Sequence, residues 1–493
     1  MVESILARYE QAQHIIQGML TKKLVLNPAV FPHWLTETNE QGDSVFWYQR
    51  DTRQGKTFCL VNASTGESAP AFNHQSLADA LTLALDKNES DIDPDNLPLS
   101  DLDIKLCPLR VSFNLGNKRL LFDAENRLCT IINTDPDTGG LHSPDGKKSV
   151  FVRDYNLWLR DRQTGEEAPL TKEGTAGNYY SKAPLSGDIQ AIWSPDSQRI
   201  MTHQLDSQSV TTRSLIVHIP QDGSLRPQLE THKMAYPGDE SVEAYRLLSI
   251  DINTKKAQAI DYDTLPFYCM GQGFFTEEKL AWWASDSQRA FFVDVARGAK
   301  TVRVVELNTQ TGATRILFEE TSDTFVKISH SALEYPVFYP LPSSDELIWL
   351  SERTGWAHLY LYDLNSGELK QTLTEGPWLV RKILHVDAKR REALIQTAGR
   401  DPSISPYYRD ICRLNLDTGE LTPLVSGDYE YNVYGPEDRQ VAARAGFGID
   451  SADVNGLSPH GDYLVATYSR VDTPPVSILI DRQGREILTL ETA

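Results

Sequence analysis

Cysteine is scarce in this chain, 5 in 493 residues. Cys59, Cys107, Cys129, Cys269 and Cys412 are an odd number, widely separated, with no C-x-x-C pair among them. Neither a disulfide framework nor a zinc site is indicated, and buried free thiols are expected. Positive charge is also in deficit. Lys and Arg number 48 against 68 Asp and Glu, a formal net charge of −20, and such a field repels phosphate backbones and anionic lipid head groups. Nucleic acid and membranes are therefore excluded as expected partners. No apolar run is long enough to span a bilayer, and the N-terminus MVESILARYEQAQ carries acids where a secretory signal would carry bases, which predicts a soluble, cytoplasmic chain. Catalytic motifs are missing too. The G-x-S-x-G elbow of an α/β-hydrolase is absent; the nearest string, Gly456-Leu-Ser-Pro-His-Gly461, has the wrong spacing and belongs to a repeating turn, so Ser458 reads as structural. The 11 His are scattered without H-E-x-x-H, so no catalytic residue, metal or other cofactor is expected.

What the chain does have is core material: 40% hydrophobic residues, with 9 Trp, 20 Tyr and 16 Phe. That composition argues for a folded protein, and the length for several domains or one unit repeated around a closed architecture. Ile5, Leu6, Tyr9, Ile16 and Leu20 recur at helical spacing, so the first 40 residues are predicted to hold a helix lying against the outside of the rest of the chain. A second helix is predicted over Ser76–Leu85, with Ser76 as its cap.

Most of the remainder is a β-repeat: an apolar strand, a turn of Asp/Asn, Thr/Ser and Gly, and a second short strand. It begins at Phe58, Leu157, Val302, Leu359 and Ile411, with looser copies at Leu120, Leu247 and Val476. The turn composition reflects Gly accepting positive φ and Asp or Asn bonding its own backbone. Upstream of several copies lies another turn and strand, at Ser143 (SPDG), Ser194 (SPDS), Ala284 (ASDS), Ser343 (SSDE) and Ser458 (SPHG). Together these supply about four strands per unit, at spacings at or above the roughly 40–50 residues of a propeller blade. The prediction is an all-β fold, an eight-bladed β-propeller over residues 41–493, with seven blades as the alternative. One interval is longer than its neighbours, mainly through Asp206 to Glu243, which reads as an irregular loop or an extended arm. Asp91-Ile-Asp-Pro-Asp-Asn96 begins like a calcium loop but has Asn96 at the glycine position and Leu102 at the position of the bidentate acid, so it reads as a solvated acidic linker. Trp282-Trp283 and Tyr179-Tyr180 could line a ligand pocket, but in blades such pairs are expected to fill the space between adjacent sheets.

SPDGKKSVFVRDYNLWLRDRQTGEEAPLTKEG from Ser143, IWSPDSQRIMTHQLD from Ile192, Tyr236-Pro237-Gly238-Asp239, SERTGWAHLYLYDLNSGELKQTLTEG from Ser351 and TYSRVDTPPVSILIDRQG from Thr467 resemble the N-terminal propeller of the dipeptidyl peptidase IV branch of the prolyl oligopeptidase family. The resemblance runs from about residue 40 to the C-terminus. It implies an eight-bladed propeller that gates and docks peptide substrates for a downstream α/β-hydrolase domain, which carries the Ser, Asp and His of catalysis and lies outside these 493 residues. On that basis the chain alone is expected to be inactive. It also implies a homodimer built partly through the arm. Dipeptidyl-releasing members carry adjacent glutamates just before the blade that opens with W-S-P; Gly174 to Pro195 contains no glutamate and one acid, Asp188. Asp188, Glu240 and Glu243 are the candidate substrate-binding residues, each also readable as a loop surface charge. The alternative is a stand-alone propeller serving as an interaction module.

Overall fold

The computed structural model describes residues 5–20, 25–35, 44–85, 92–116, 118–132, 140–183, 187–220, 222–266, 279–329, 336–435, 438 and 454–493. All eight expected hairpins are present, and each forms the third and fourth strands of its own antiparallel sheet. The sheets occupy residues 33–70, 100–131, 141–169, 178–266, 281–321, 338–372, 379–425 and 430–492 and are numbered one to eight in that order. Seven have four strands in sequential order; the fourth has six. The chain divides into two compact units. One comprises 1–135, 356–358 and 373–493; the other comprises 136–355 and 359–372.

The hairpin turns explain the repeat. Between the third and fourth strands every turn is four or five residues long. Asn62 Oδ1 accepts from the amides of Ser64 and Thr65, and Asp161, Asn308, Asp363 and Asn415 do the same for the residues two and three further on. Glycine answers a second demand beside positive φ. At Gly367 (φ 81°) an added Cβ would collide with the carbonyl of Leu317 in the last strand of the preceding sheet, and at Gly484 (φ 81°) with that of Leu424. Each of these hairpins thus rests its turn on its neighbour's backbone, where only glycine fits.

The S-P-D turns also reach across. Ser194 Oγ holds Asp196 Oδ1 at 2.6 Å and takes the Arg199 amide at 2.9 Å, closing the turn. The amide of Asp145 donates to Ser197 Oγ in the next sheet, and that of Asp196 to Ser287 Oγ in the one after. Ser197 and Ser287 stand at φ 61° and 59°, a strained choice that this inter-sheet bond offsets. Trp193 and Trp283 repeat the device with their indoles, donating to Leu141 O and Ile192 O.

Within the second unit the core between the fourth, fifth and sixth sheets gathers Trp283, Phe291, Phe292, Val304, Leu347 and Trp349. Phe291, Trp282, Phe338 and Trp349 form a continuous chain of ring contacts there, two stacked and the middle one tilted, with centroids 5.5 to 5.8 Å apart, so the expected packing role of Trp282-Trp283 is observed. In the first unit Phe58, Phe72, Phe113 and Phe122 form a core with the second helix. Burying each such ring contributes about 2–3 kcal/mol. In the same unit the first and last sheets are neighbours: Tyr48 donates to Glu491 at 2.7 Å and Ile487 lies against Gly66.

Four expectations change. The first helix, Ile5–Leu20, leaves Ile5, Leu6, Tyr9 and Ile16 exposed instead of packing them, because no described element covers that face. The second spans His74–Leu85, and its cap is Asn73, whose Oδ1 accepts from the Ser76 amide; Ser76 lies inside the first turn. The first sheet begins at His33, inside the stretch assigned to the helical segment. Cys59, Cys129 and Cys412 are buried, which pushes the thiols of Cys129 and Cys412 up to about 12, but Cys107 is exposed because it occupies the turn between two strands of the second sheet. Cys269 lies outside the described residues. Of the acidic stretch, Asp93 caps a short 3-10 turn at Pro94–Asn96.

Candidate functional site

Antiparallel order gives each sheet two unlike ends. The turns joining strands one to two and three to four share one end, where the regular hairpin turns lie. The turn joining strands two to three lies at the other, and its length varies from two residues at 154–155 to the whole of 207–243 in the fourth sheet. Variable segments held by a regular scaffold are where binding residues collect.

The fourth sheet departs furthest from the repeat. Its first strand is interrupted: Asn178–Tyr180 pairs with 204–206 and Ala191–Trp193 with 200–202 of the same second strand, Arg199–Asp206. Between the two pieces, residues 181–183 and 187–190 form the two legs of a finger. Its neck is closed by the bridge of Lys182 with Ile189, by the Gln190 amide to Ser181 O and by the Ala183 amide to Asp188 O. Thr202 Oγ1 secures both roots, at 2.7 Å from Ser181 Oγ and from Gln190 O. This finger falls in the stretch where the resemblance would place paired glutamates. It presents Lys182 and Asp188 instead, with Lys182 exposed and Asp188 at the neck. Opposite the finger stands His203, fully buried, and burial lowers its pKa to about 3, so the ring is neutral.

The 206–243 insertion is an arm. It forms a two-stranded hairpin, Thr212–Val217 with Gln228–Lys233, and exposes Leu215, Ile216, Ile219, Leu225 and Leu229. Its root is fastened by polar contacts. Arg213 lies over the Tyr236 ring at 3.3 Å and pairs with Asp239 at 2.9 Å, while Arg297 of the next sheet donates to the carbonyls of Tyr236 and Asp239. The Tyr236-Pro-Gly-Asp string is thus the arm's fastening.

The three candidate acids separate. Asp188 and Glu240 keep contact with solvent, as surface charges do. Glu243 does not: it is 7% exposed, directly before the strand Ala244–Asp251. Its charge reaches Tyr179, whose pKa is pushed up to about 12, by burial first and by Glu243 second. Asp188 and Glu243 lie on different segments of one sheet, and no contact joins them among the described residues. Sequence reasoning weighed Tyr179 as packing or as the lining of a pocket; the half-buried phenol beside a buried acid was invisible without the pairing of Tyr179 to Leu205 and of Leu205 to Tyr245. Ser458 is buried in its turn, taking the Tyr463 amide on Oγ, as its structural reading required. Among the described residues no three His, Cys, Asp or Glu gather to hold a metal, and no helix is long and apolar enough to cross a membrane.

Comparison with known proteins agrees with this architecture. Residues 117–475 match the family described as the dipeptidyl peptidase IV (DPP IV) N-terminal region. Two relatives, each named a probable dipeptidyl peptidase 4, are 24% identical over 299 residues in Emericella nidulans and 25% identical over 361 residues in Aspergillus flavus. These matches cover 58% and 71% of this chain but only 37% and 42% of the relatives' own lengths. The crystal structure of Porphyromonas gingivalis dipeptidyl peptidase 4 superposes with a TM-score of 0.61 at 16% identity, covering 97% of this chain and 61% of that one, which shows a shared fold. With the matched region spanning most of its sheets, the chain belongs to the family of dipeptidyl peptidase IV N-terminal regions.

Proposed function

We propose that this chain is the substrate-selecting propeller of a serine-type peptidase, with its eight sheets arranged as the blades of one ring. Peptides dock at the variable ends of the sheets and are passed to an α/β-hydrolase domain of the same polypeptide. The observation that carries this reading is the finger interrupting the first strand of the fourth sheet, beside an arm at that sheet's variable end. A ring that admits chains but not folded domains restricts cleavage to short or unfolded peptides. Supporting the ring, the first and last sheets of the chain are neighbours in one unit. The finger carries a lysine and a single aspartate, so this reading does not extend to strict dipeptide release. The chain by itself is expected to hydrolyse no Xaa-Pro anilide. The exposed apolar residues of the arm fit a contact with a second copy, and the charge of −20 fits a cytoplasmic setting away from anionic membranes.

The test is binding by titration calorimetry. A short unstructured peptide should bind the 493-residue chain, and the same sequence displayed within a folded domain should not; equal binding of both removes the filter. The second reading, a stand-alone interaction module, is favoured by the exposure of Ile219 and Leu225 at the arm. It predicts a protein partner whose binding is lost with Leu225→Asp while peptide binding is absent.

A further inference from the structure

One two-residue turn at the variable ends carries strain. Strands two and three of the third sheet meet through Asp154 and Tyr155, at φ 47° and 65°. A two-residue hairpin turn with both φ values positive favours Asn-Gly or Asp-Gly, because glycine takes the second left-handed position without a steric cost. Tyrosine there is a bulky side chain in a conformation that costs free energy, and among the described residues no other aromatic takes positive φ. The backbone of the turn is held firmly. Asn156 Nδ2 donates to Asp154 O at 2.8 Å, and Tyr155 O accepts from the Tyr180 amide at 3.0 Å. The side chain adds no such bond. Tyr155 is 48% exposed, its hydroxyl bonds to no described residue, and it stands outside the core of Val150, Leu157, Trp193 and Ile200 that joins the third and fourth sheets. Ser197 and Ser287 offset the same conformation with an inter-sheet hydrogen bond, whereas the tyrosine side chain has no corresponding bond among the described residues.

Strain that the fold does not need collects where a side chain has to be presented. The place of this turn says to what. Its bond to Tyr180 fixes it to the residue directly before the finger, so a rigid turn of the third sheet offers an aromatic ring at the approach to the finger's first leg. Tyrosine suits such a contact, since its large amphipathic ring is ordered through only two side-chain torsions and loses little entropy when it is covered. Arg153 directly before the turn and the exposed Lys182 on the finger disfavour a cationic group at the ring and leave an apolar one as its partner. We infer that Tyr155 is a specificity-determining contact of the docked peptide, its ring packing on an apolar side chain, and that the strained turn is retained for this contact.

This inference rests on the peptide-docking reading, and the experiment separates the two. The 493-residue chain and its Tyr155→Gly, Tyr155→Asn, Tyr155→Phe and Tyr407→Ala variants are titrated with acetyl-Gly-Phe-Gly-Phe-Gly amide and with acetyl-Gly-Ala-Gly-Ala-Gly amide. Expected is binding of the phenylalanine peptide about tenfold tighter than of the alanine peptide, the effect of covering one apolar side chain. Tyr155→Gly and Tyr155→Asn should abolish that preference and melt no lower than wild type, since both residues accept the left-handed conformation. Tyr155→Phe should keep the preference, because the hydroxyl is not used, and so should Tyr407→Ala, at an exposed position on the seventh sheet. The asparagine variant reports on the site if the glycine variant does not fold. Equal binding of the two peptides to wild type, or a preference that survives Tyr155→Gly, overturns the contact and leaves peptide docking standing. A melting temperature several degrees lower in both variants shows that the ring serves the fold and overturns the contact as well. Binding of neither peptide overturns both readings.

Discussion

At one end of every sheet the third strand passes into the fourth through four or five residues whose Asx and glycine positions recur; at the other, the second strand reaches the third through anything from two residues to the arm of 207–243. The first end is constrained because it touches its neighbour. Gly367 lies on the backbone of Leu317, and Asp145 and Asp196 donate to serines of the next sheet, so a change there disturbs two sheets. The second end is tied by backbone alone: Tyr155 O, Ala299 O and Ala357 O, in the two-to-three turns of their sheets, accept from the amides of Tyr180, Val326 and Val380 on the chain that follows. A backbone contact leaves the side chains and the loop length free, and an insertion there costs loop closure, which grows slowly with length. Both ends are thus linked to their neighbours, but only the first is held by particular side chains and glycines.

That contrast can be broken most directly at Gly367. Gly367→Ala adds a Cβ against Leu317 at positive φ, and urea unfolding should show a loss of about 3 kcal/mol. A loss no greater than that of an exposed Gly→Ala change would mean that the turns are not clamped to their neighbours. Next is acid. His203, at the root of the finger, is neutral in the folded chain, with a pKa of about 3, whereas unfolding restores the ordinary value of 6.5. The unfolded state therefore binds the extra proton, and stability falls as pH drops below 6.5 toward the folded value. Between about pH 7 and pH 5 this histidine should account for about 2 kcal/mol, and His203→Gln should remove that share of the pH slope. Ser194→Ala deletes the hydroxyl that closes a turn and should lower stability by about 1–2 kcal/mol in the same assay. Smallest is the arm. Leu225→Asp, at a fully exposed position, should change stability by less than about 0.5 kcal/mol while reducing self-association in light scattering. A large destabilisation there would show that the variable end also carries the fold.

Much of the architecture was legible because the repeat is local. Asn62, Asp161, Asn308, Asp363 and Asn415 bond amides two and three residues ahead, so their hairpins announce themselves in the sequence. Legibility ended where partners are distant. The cap of the second helix lies three residues before the expected one because Asn73 and Ser76 are both good capping residues, and the chain's entry into the helix decides between them. The exposed face of the first helix was unreadable because periodicity shows that a face is apolar, not that anything covers it. Asp188 and Glu243 looked alike as loop acids. One sits at the finger's neck in reach of solvent; the other is buried where the arm returns to its sheet.

The sequence by itself determined the eight hairpins, the turn chemistry, the place of the insertion and the family resemblance, since each rests on residues within a few positions of one another. Only the tertiary structure decided that the first strand of the fourth sheet is split by a finger, that the insertion is a hairpin arm fastened at Tyr236 and Asp239, and that Glu243 is buried where the arm returns to its sheet. Those features depend on which strands pair and which side chains meet across sheets. Such contacts join residues far apart in the chain, and no local pattern encodes them.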